Sequence, residues 1–513
     1  MSKKINIIGA GIAGLSAGCY LQMNGYTTEI FELHDKPGGL CTAWERRGYT
    51  IDGCIHWLVG TDPMSSFYRL WSELIDMSQL KIAEGLEYFR IEDQAGRDII
   101  IYRDVDRLEQ ELLEKAPEDS SQIRKLTATV RKFSKLEMPV DRAAELTTIR
   151  ENLRLLLKLL PYGWPYLKLI NISIGEYAAR FRNPLLRQAI TNLFVPEMAM
   201  LFAISTLAWM TGRNAGYPIG GSLNFARLIE KRYLELGGKI NYKARVKQIH
   251  TSGKNPAVAD GVELEDGTQH AADMVISAAD GYATIFELLD GKFVDESVRR
   301  RYRELPVFSS YLQVSLGIAR TFKREPSTIY LPIEPALEID PETVLDFIGL
   351  RIFNDDPTLA PAGKTLVTIY IPTYNYAYWQ NLKQADPRKY KAEKNYIAEE
   401  IVNVIEKRFG QIRANLEVID VSTPATVIHY TNNWRGSMEG WLLNKKTGFQ
   451  SMRKILPELD NFFQIGQWVE PGGGVPTSLL SGRNVAQIIC HKDDREFTTT
   501  RAQSAKSVKR KAQ

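Results

Sequence analysis

Lys4-Ile5-Asn6-Ile7-Ile8-Gly9-Ala10-Gly11-Ile12-Ala13-Gly14-Leu15 joins a short β-branched run, a Gly-x-Gly-x-x-Gly turn and helix-forming sequence. This order reads as strand, tight turn and helix. Gly9 permits the turn, Gly11 lets the backbone approach a pyrophosphate, and Gly14 lets the helix lie close on the strand. Unpaired N–H groups of the first helical turn then face the phosphates. Residues 27–31 form a second apolar strand that ends at Glu32, the spacing at which a carboxylate takes a ribose hydroxyl. An acid at that place suits an unphosphorylated ribose, so FAD or NAD fits better than NADP.

The next segment chooses between the two. Asp35-Lys36-Pro37-Gly38-Gly39-Leu40-Cys41-Thr42 makes a second glycine turn, and Gly48-Tyr49-Thr50-Ile51-Asp52-Gly53 continues it into a short strand. Nicotinamide dehydrogenases have no need of this extension. It resembles the second flavin-binding turn of the FAD enzymes that include amine oxidases, phytoene desaturases, carotenoid isomerases and retinol saturases. No second Gly-x-Gly-x-x-Gly after a strand is present for NAD.

At 513 residues the chain can bury the cores of two domains. Apolar content of 44% and charged content of 25% are those of a globular protein. The net charge of +4 is concentrated at the C-terminus, where Arg501, Lys506, Lys509, Arg510 and Lys511 stand without an acid, which leaves the remainder near −1. A near-neutral body carries no nucleic-acid footprint. Four cysteines, at 19, 41, 54 and 490, form no Cys-x-x-Cys pair, and the first strand starts too early to leave room for a signal peptide. A cytoplasmic protein with reduced thiols is expected, with no metal site and no transmembrane helix.

Residues 64–79 carry Phe67, Leu70, Trp71 and Leu74 at helical spacing, and 86–102 alternate like two antiparallel strands that turn at Ala95-Gly96. Helical sequence occupies 105–136, after which 147–170 is rich in leucine, with Trp164, Tyr162 and Tyr166 interleaved with Arg154, Lys158 and Lys168. These mixed features suit an interfacial patch. From 306 to 421 strands dominate around a helix at 390–409, and prolines at 326, 332, 335, 341, 357 and 361 mark loops. Finally, 462–476 read as a strand and the cluster Gly472-Gly473-Gly474, before a helix over 477–489. A helix N-terminus and glycine backbone donors suit an electron-rich ring.

The expected fold is α/β: a Rossmann-like FAD-binding domain with an inserted mixed α+β substrate domain. Residues 1–80, 213–285 and 456–491 supply the first, 81–212 and 286–455 the second, and 492–513 form a disordered basic tail.

These blocks, with Thr423-Pro424-Ala425-Thr426, His429-Tyr430, Arg435-Gly436 and Gly440-Trp441, resemble the phytoene desaturase, carotenoid isomerase and retinol saturase group over about residues 4–491. The resemblance implies FAD contacts at Gly9, Gly11, Ala13, Gly14, Glu32, Gly38, Gly39, Leu40, Val246, Gly466, Gly473, Gly474 and Val475. It also implies a long hydrophobic substrate such as a carotenoid, retinoid or other isoprenoid lipid, met at the inner face of a membrane, and a partner of unassigned identity that recycles the flavin. Two places depart from the group's pattern: Val469-Glu470 stands where many desaturases have Thr-His, and Cys54-Ile55-His56-Trp57 comes after Asp52-Gly53. Glu470 and His56 are therefore the candidate proton-handling residues, with Glu197 a possible pocket acid. Two alternative functions are an amine or amino-acid oxidase of the same fold and a non-redox escort protein for prenylated partners. Intact glycine turns and Glu32 argue against the escort.

Overall fold

The computed structural model describes residues 2–254, 256–448, 452–470 and 472–499. The strand Lys4–Ile8 sits at the centre of a parallel five-stranded sheet, flanked on one side by Thr27–Phe31 and Lys239–Asn241 and on the other by Met274–Ser277 and Phe462–Gln464. Strands from three distant stretches of the chain thus share one ladder. A parallel sheet needs both faces covered, and Ile5, Ile7, Ile30, Val275 and Ile276 are fully buried. The helix Ile12–Met23 is apolar on nearly every side, because Gly221–Glu235 and Val475–Lys492 both pack on it. A Cβ at Gly482 would stand 2.6 Å from backbone atoms of Ala13 and Ala17, so a glycine permits that approach.

A seven-stranded sheet forms the second layer, in the order Leu416–Ser422, Ser310–Ile318, Thr365–Thr373, Thr343–Ile352, Thr328–Asp340, Glu87–Glu92 and Asp98–Tyr102. The hairpin expected over 86–102 is present, and it extends the sheet built from residues 310–422. The helix Pro387–Phe409 buries Ile397, Ile401, Val402 and Ile405 against this sheet. Helices Val105–Lys115, Ser120–Phe133, Ile149–Ile170 and Met200–Thr211 pack around the hairpin end.

Two expectations change. Pro332 and Pro335 lie inside the strand Thr328–Asp340 and not in loops. The ladder to Thr343–Ile352 slips between Pro332↔Phe347 and Leu337↔Leu345, while the neighbour on the other side pairs only at Ile329 and Tyr330. A bulge with one free edge tolerates the missing N–H groups. Part of the expected disordered tail is also ordered: Asn24 Oδ1 accepts from the Thr498 amide at 2.8 Å, and the Phe497 ring packs on Tyr20 and under the Arg483 guanidinium. The five terminal cations lie outside the described residues. No helix among the described residues is long and apolar enough to cross a membrane, and no group of three or more metal-ligating side chains occurs among them.

Candidate functional site

The ladder register sets Ile8 opposite Phe31, so the two strands deliver Gly9 and Glu32 to the same edge of the sheet. Gly9 has φ +97°, a left-handed turn that favours glycine. A Cβ at Gly14 would lie 2.0 Å from the Gly9 carbonyl oxygen, which makes that position obligatory for a helix this close to its strand. In front of Gly11, by contrast, an added Cβ would meet only the Gly38 carbonyl at 3.9 Å. The space a pyrophosphate requires is there.

Glu32 is buried, and its carboxylate accepts from the Ala10 amide at 2.6 Å and the His34 amide at 2.8 Å. Burial raises its pKa while the amides pull it down. The second glycine turn docks on the first through Gly38 N donating to Ala10 O at 2.9 Å and a bridge between Gly11 and Gly38. Gly39 approaches the Gly11 backbone, and Gly466 approaches Ala13. Leu40 sits in the second turn, where its carbonyl accepts from the Thr42 amide. Val246 is buried at the start of the strand Val246–Ser252, tied to Glu32 by the nearby Ala244 amide. Gly474 caps the helix that Val475 begins, earlier than the expected start at 477. Thus both ends of the chain meet over the first turn, and the glycines form a cradle that side chains would fill. These residues fit a dinucleotide.

Asp52 ties this cradle to the seven-stranded sheet. Its carboxylate accepts from the amides of Gly53 and Ser222 and from the Tyr217 hydroxyl, while its carbonyl accepts from Gln313 and Tyr370 of that sheet. A side chain distant in sequence therefore serves the N-terminus of the helix Gly221–Glu235, whose own cap residue Gly220 has no side chain to do so. Burial pushes Asp52 up to about 6 against the pull of those donors.

The two candidate proton carriers do not come together as an acid–base pair. Glu470 is ion-paired at 2.8 Å with the buried Lys454, which also holds Glu145 at 2.7 Å. That pairing commits its carboxylate to a cation. His56 presents its ring to open space yet is desolvated, and its pKa is pushed down to about 4 by burial and the Arg351 charge. Its ring is thus reachable while closely surrounded by protein. The ring lies 4.8 Å from Tyr370, which is 5.5 Å from Tyr311. From there aromatics lead into the cap: Trp57 contacts Tyr88 at 5.9 Å and Phe194 at 6.0 Å, and Phe194 contacts Phe202 and Phe308. Tyr88, Trp57, Phe194, Phe202 and Tyr330 are all only partly covered, although burial raises both tyrosine hydroxyls, Tyr330 to about 12. Glu197 is exposed and precedes the helix Met200–Thr211 by three residues, where its charge opposes ionisation of the Tyr374 hydroxyl.

The group that sequence reading passed over is Glu439. A Cβ at Gly473 would lie 2.4 Å from Glu439 Cβ, so this side chain stands directly behind the glycine cluster. Its Oε2 is buried without a hydrogen-bond partner, and burial lifts the carboxyl to about 8. The only signal in the sequence is a single acid between Gly436 and Gly440, which reads equally well as a surface turn.

Residues 12–490 match the flavin containing amine oxidoreductase family. A 4,4'-diapophytoene desaturase (4,4'-diapolycopene-forming) of Methylomonas sp. is 25% identical, covering 96% of this chain and 96% of that protein. The chloroplastic prolycopene isomerase of Daucus carota is 25% identical, covering 93% of this chain and 78% of its own. Among solved structures, cyclohexylamine oxidase from Brevibacterium oxydans IH-35A superposes with a TM-score of 0.60 at 14% identity, over 96% of this chain and 100% of that one. At that identity the likeness is one of fold. The chain belongs to the flavin containing amine oxidoreductase family, and it is an FAD-dependent oxidoreductase.

Proposed function

We propose that the protein changes the saturation or geometry of C–C and C=C bonds in a long apolar isoprenoid or polyene lipid. The observation that carries this reading is the row of partly open, desolvated aromatics from Tyr370 and His56 through Trp57 to Tyr88 and Phe194. Such a row excludes water along an extended hydrocarbon while offering it few polar contacts. Bound FAD supplies two-electron chemistry at carbon. The protein's part is to hold the cofactor in the glycine cradle and hold the lipid against it. Glu439, protonated at neutral pH and unpartnered, keeps an available proton at Oε2, and its place behind Gly473 makes it the first choice for proton transfer. His56 is neutral and forms wall, and Glu470 anchors Lys454. The relatives named as a diapophytoene desaturase and a prolycopene isomerase support the same substrate class.

An amino-acid oxidase reading requires a free guanidinium for a substrate carboxylate. Arg351, the cation nearest His56 in effect, is already committed to both oxygens of Asp355 and to the carbonyls of Ser327 and Ile352.

The lipid would arrive from a membrane surface. Along Ile149–Ile170, Ile149, Leu153, Leu156, Leu157, Leu160, Trp164 and Leu167 are exposed on one stripe, with Arg150, Arg154, Lys158 and Lys168 along one edge. A cavity of about 500 Å³ beside this helix is lined by Arg131, Lys132, Lys135 and Lys158 and suits anionic headgroups. The test of the chemistry is anaerobic: reduced and oxidised protein are mixed with polyenes, prenyl lipids, amines and amino acids while the flavin absorbance is monitored. Polyenes or prenyl lipids should change the flavin's redox state. A response confined to amines or amino acids would overturn the proposal.

A further inference from the structure

The hairpin of Ala43–Arg46 and Tyr49–Asp52 turns on Arg47 and Gly48, both with positive φ. A two-residue turn makes Arg46↔Tyr49 the closing, hydrogen-bonded pair. Pairs then alternate through Glu45↔Thr50, Trp44↔Ile51 and Ala43↔Asp52, and Gly53 N donates to Thr42 O at 3.0 Å one step beyond. The next facing residues are Cys41 and Cys54. The ladder itself ends at Ala43↔Asp52; continued one pair beyond the Gly53–Thr42 bond, its alternation would set Cys41 and Cys54 in a non-hydrogen-bonded position with Cα atoms about 4.5 Å apart and side chains on one face. That separation is within the range a disulfide spans.

Both cysteines are free, and Cys54 lies near enough to Cys41 to raise its thiol pKa. Ser222 holds the two ends of the pair in place, since its carbonyl accepts from Cys41 Sγ at 3.4 Å and its hydroxyl accepts from the Ile55 amide at 2.8 Å. Cys41 is buried within the second glycine turn, where its amide donates to Gly38 O. Cys54 is partly open and sits close enough to Tyr311 and Tyr370 to oppose ionisation of their hydroxyls, beside the ring on which His56 packs. One thiol is thus accessible and the other is sheltered beside it.

We propose that Cys41 and Cys54 are a redox-active dithiol, a modification site at which hydrogen peroxide closes a cross-strand disulfide next to the flavin turn. Cys54 sulfur attacks one peroxide oxygen and breaks the O–O bond, which yields a sulfenic acid and one water. Cys41 sulfur then forms the S–S bond by displacing the hydroxyl, which leaves as a second water with the thiol proton. Two thiols lose two electrons and two protons, and the peroxide takes up all of them. Cys54 is the more open of the two, and both the neighbouring Cys54 and burial push the Cys41 thiol upward, which assigns the first attack to Cys54 and the resolving step to Cys41.

The holoprotein is treated with hydrogen peroxide, alkylated with N-ethylmaleimide, and mapped by peptide mass spectrometry. The expected product in most chains is a dithiothreitol-reversible cross-link between the Cys41 and Cys54 peptides, with Cys19 and Cys490 unpaired. Cys41→Ser, checked for retained flavin absorbance, should stop at a Cys54 sulfenic acid that dimedone captures. Cys54→Ala, which alters only the more exposed partner, should leave Cys41 reduced. Free thiols at both positions after peroxide would overturn the proposal. So would over-oxidation of Cys54 in the wild-type chain without a cross-link.

Discussion

Glu439 concentrates the chemistry that the glycine cradle lacks. Its carboxyl holds its proton up to about 8, so turnover should stay level through neutral pH and fall above that point as the acid ionises. Glu439→Gln should keep the FAD absorbance, lower turnover by about 10²- to 10⁴-fold and remove that alkaline limb. Glu470→Gln and His56→Gln should affect turnover far less, which steady-state kinetics on the three variants checks. The same proton affects stability. The folded chain binds it more tightly than the unfolded one, so stability declines as pH rises from about 4.5 to about 8. Denaturant titrations across that range should show a shallower decline for Glu439→Gln.

Elements impose their own constraints through how closely they approach. Gly14→Ala would drive a methyl into the Gly9 carbonyl and push the helix Ile12–Met23 off its strand. Overpacking of that kind typically costs about 1–3 kcal/mol, and it also widens the cradle, so thermal melts should show a lower Tm and flavin titrations a weaker affinity. Gly163 is the contrasting case, since nothing lies within 4 Å of an added Cβ there. Gly163→Ala should raise stability by about 0.5–1 kcal/mol through helix propensity alone. On the outer stripe of the same helix, Leu156→Glu with Leu160→Glu should leave Tm nearly unchanged, because both are more than half exposed. Flotation with anionic liposomes should then drop sharply. Equal flotation of this variant and the wild-type chain would remove the membrane face from the proposal.

The whole molecule is held by contacts between parts that are far apart in the chain. Gly466 N donates to Ser481 Oγ, Ser16 Oγ donates to Leu479 O, and the sheet edge passes from residue 277 to 462. FAD seated over Gly9, Gly38 and Gly466 would join three separate stretches of chain at once. A ligand that binds only the folded state at about 100 times its Kd adds about 2.7 kcal/mol. Protein stripped of flavin should therefore melt at a lower temperature and recover on adding FAD, and scanning calorimetry of both forms measures the difference.

Local backbone rules explain what could be read from residues alone. Gly-x-Gly-x-x-Gly after a β-branched run has one economical conformation, and the distance to Glu32 is set by one helix and one strand, so the central unit and its dinucleotide were legible without coordinates. The hairpin of residues 86–102 was legible too, because alternation and a turn residue are local signals. The partners of side chains were not. Glu470 looks like a free acid in sequence and is held by Lys454, whereas Glu439 looks like a surface acid and stands unpartnered behind Gly473. Burial and pairing set the chemistry of a carboxylate, and both depend on which distant segments the fold brings within a few ångströms. For the same reason the spacing of Cys41 and Cys54 suggested no pair, since a cross-strand relation appears only once the hairpin register is known.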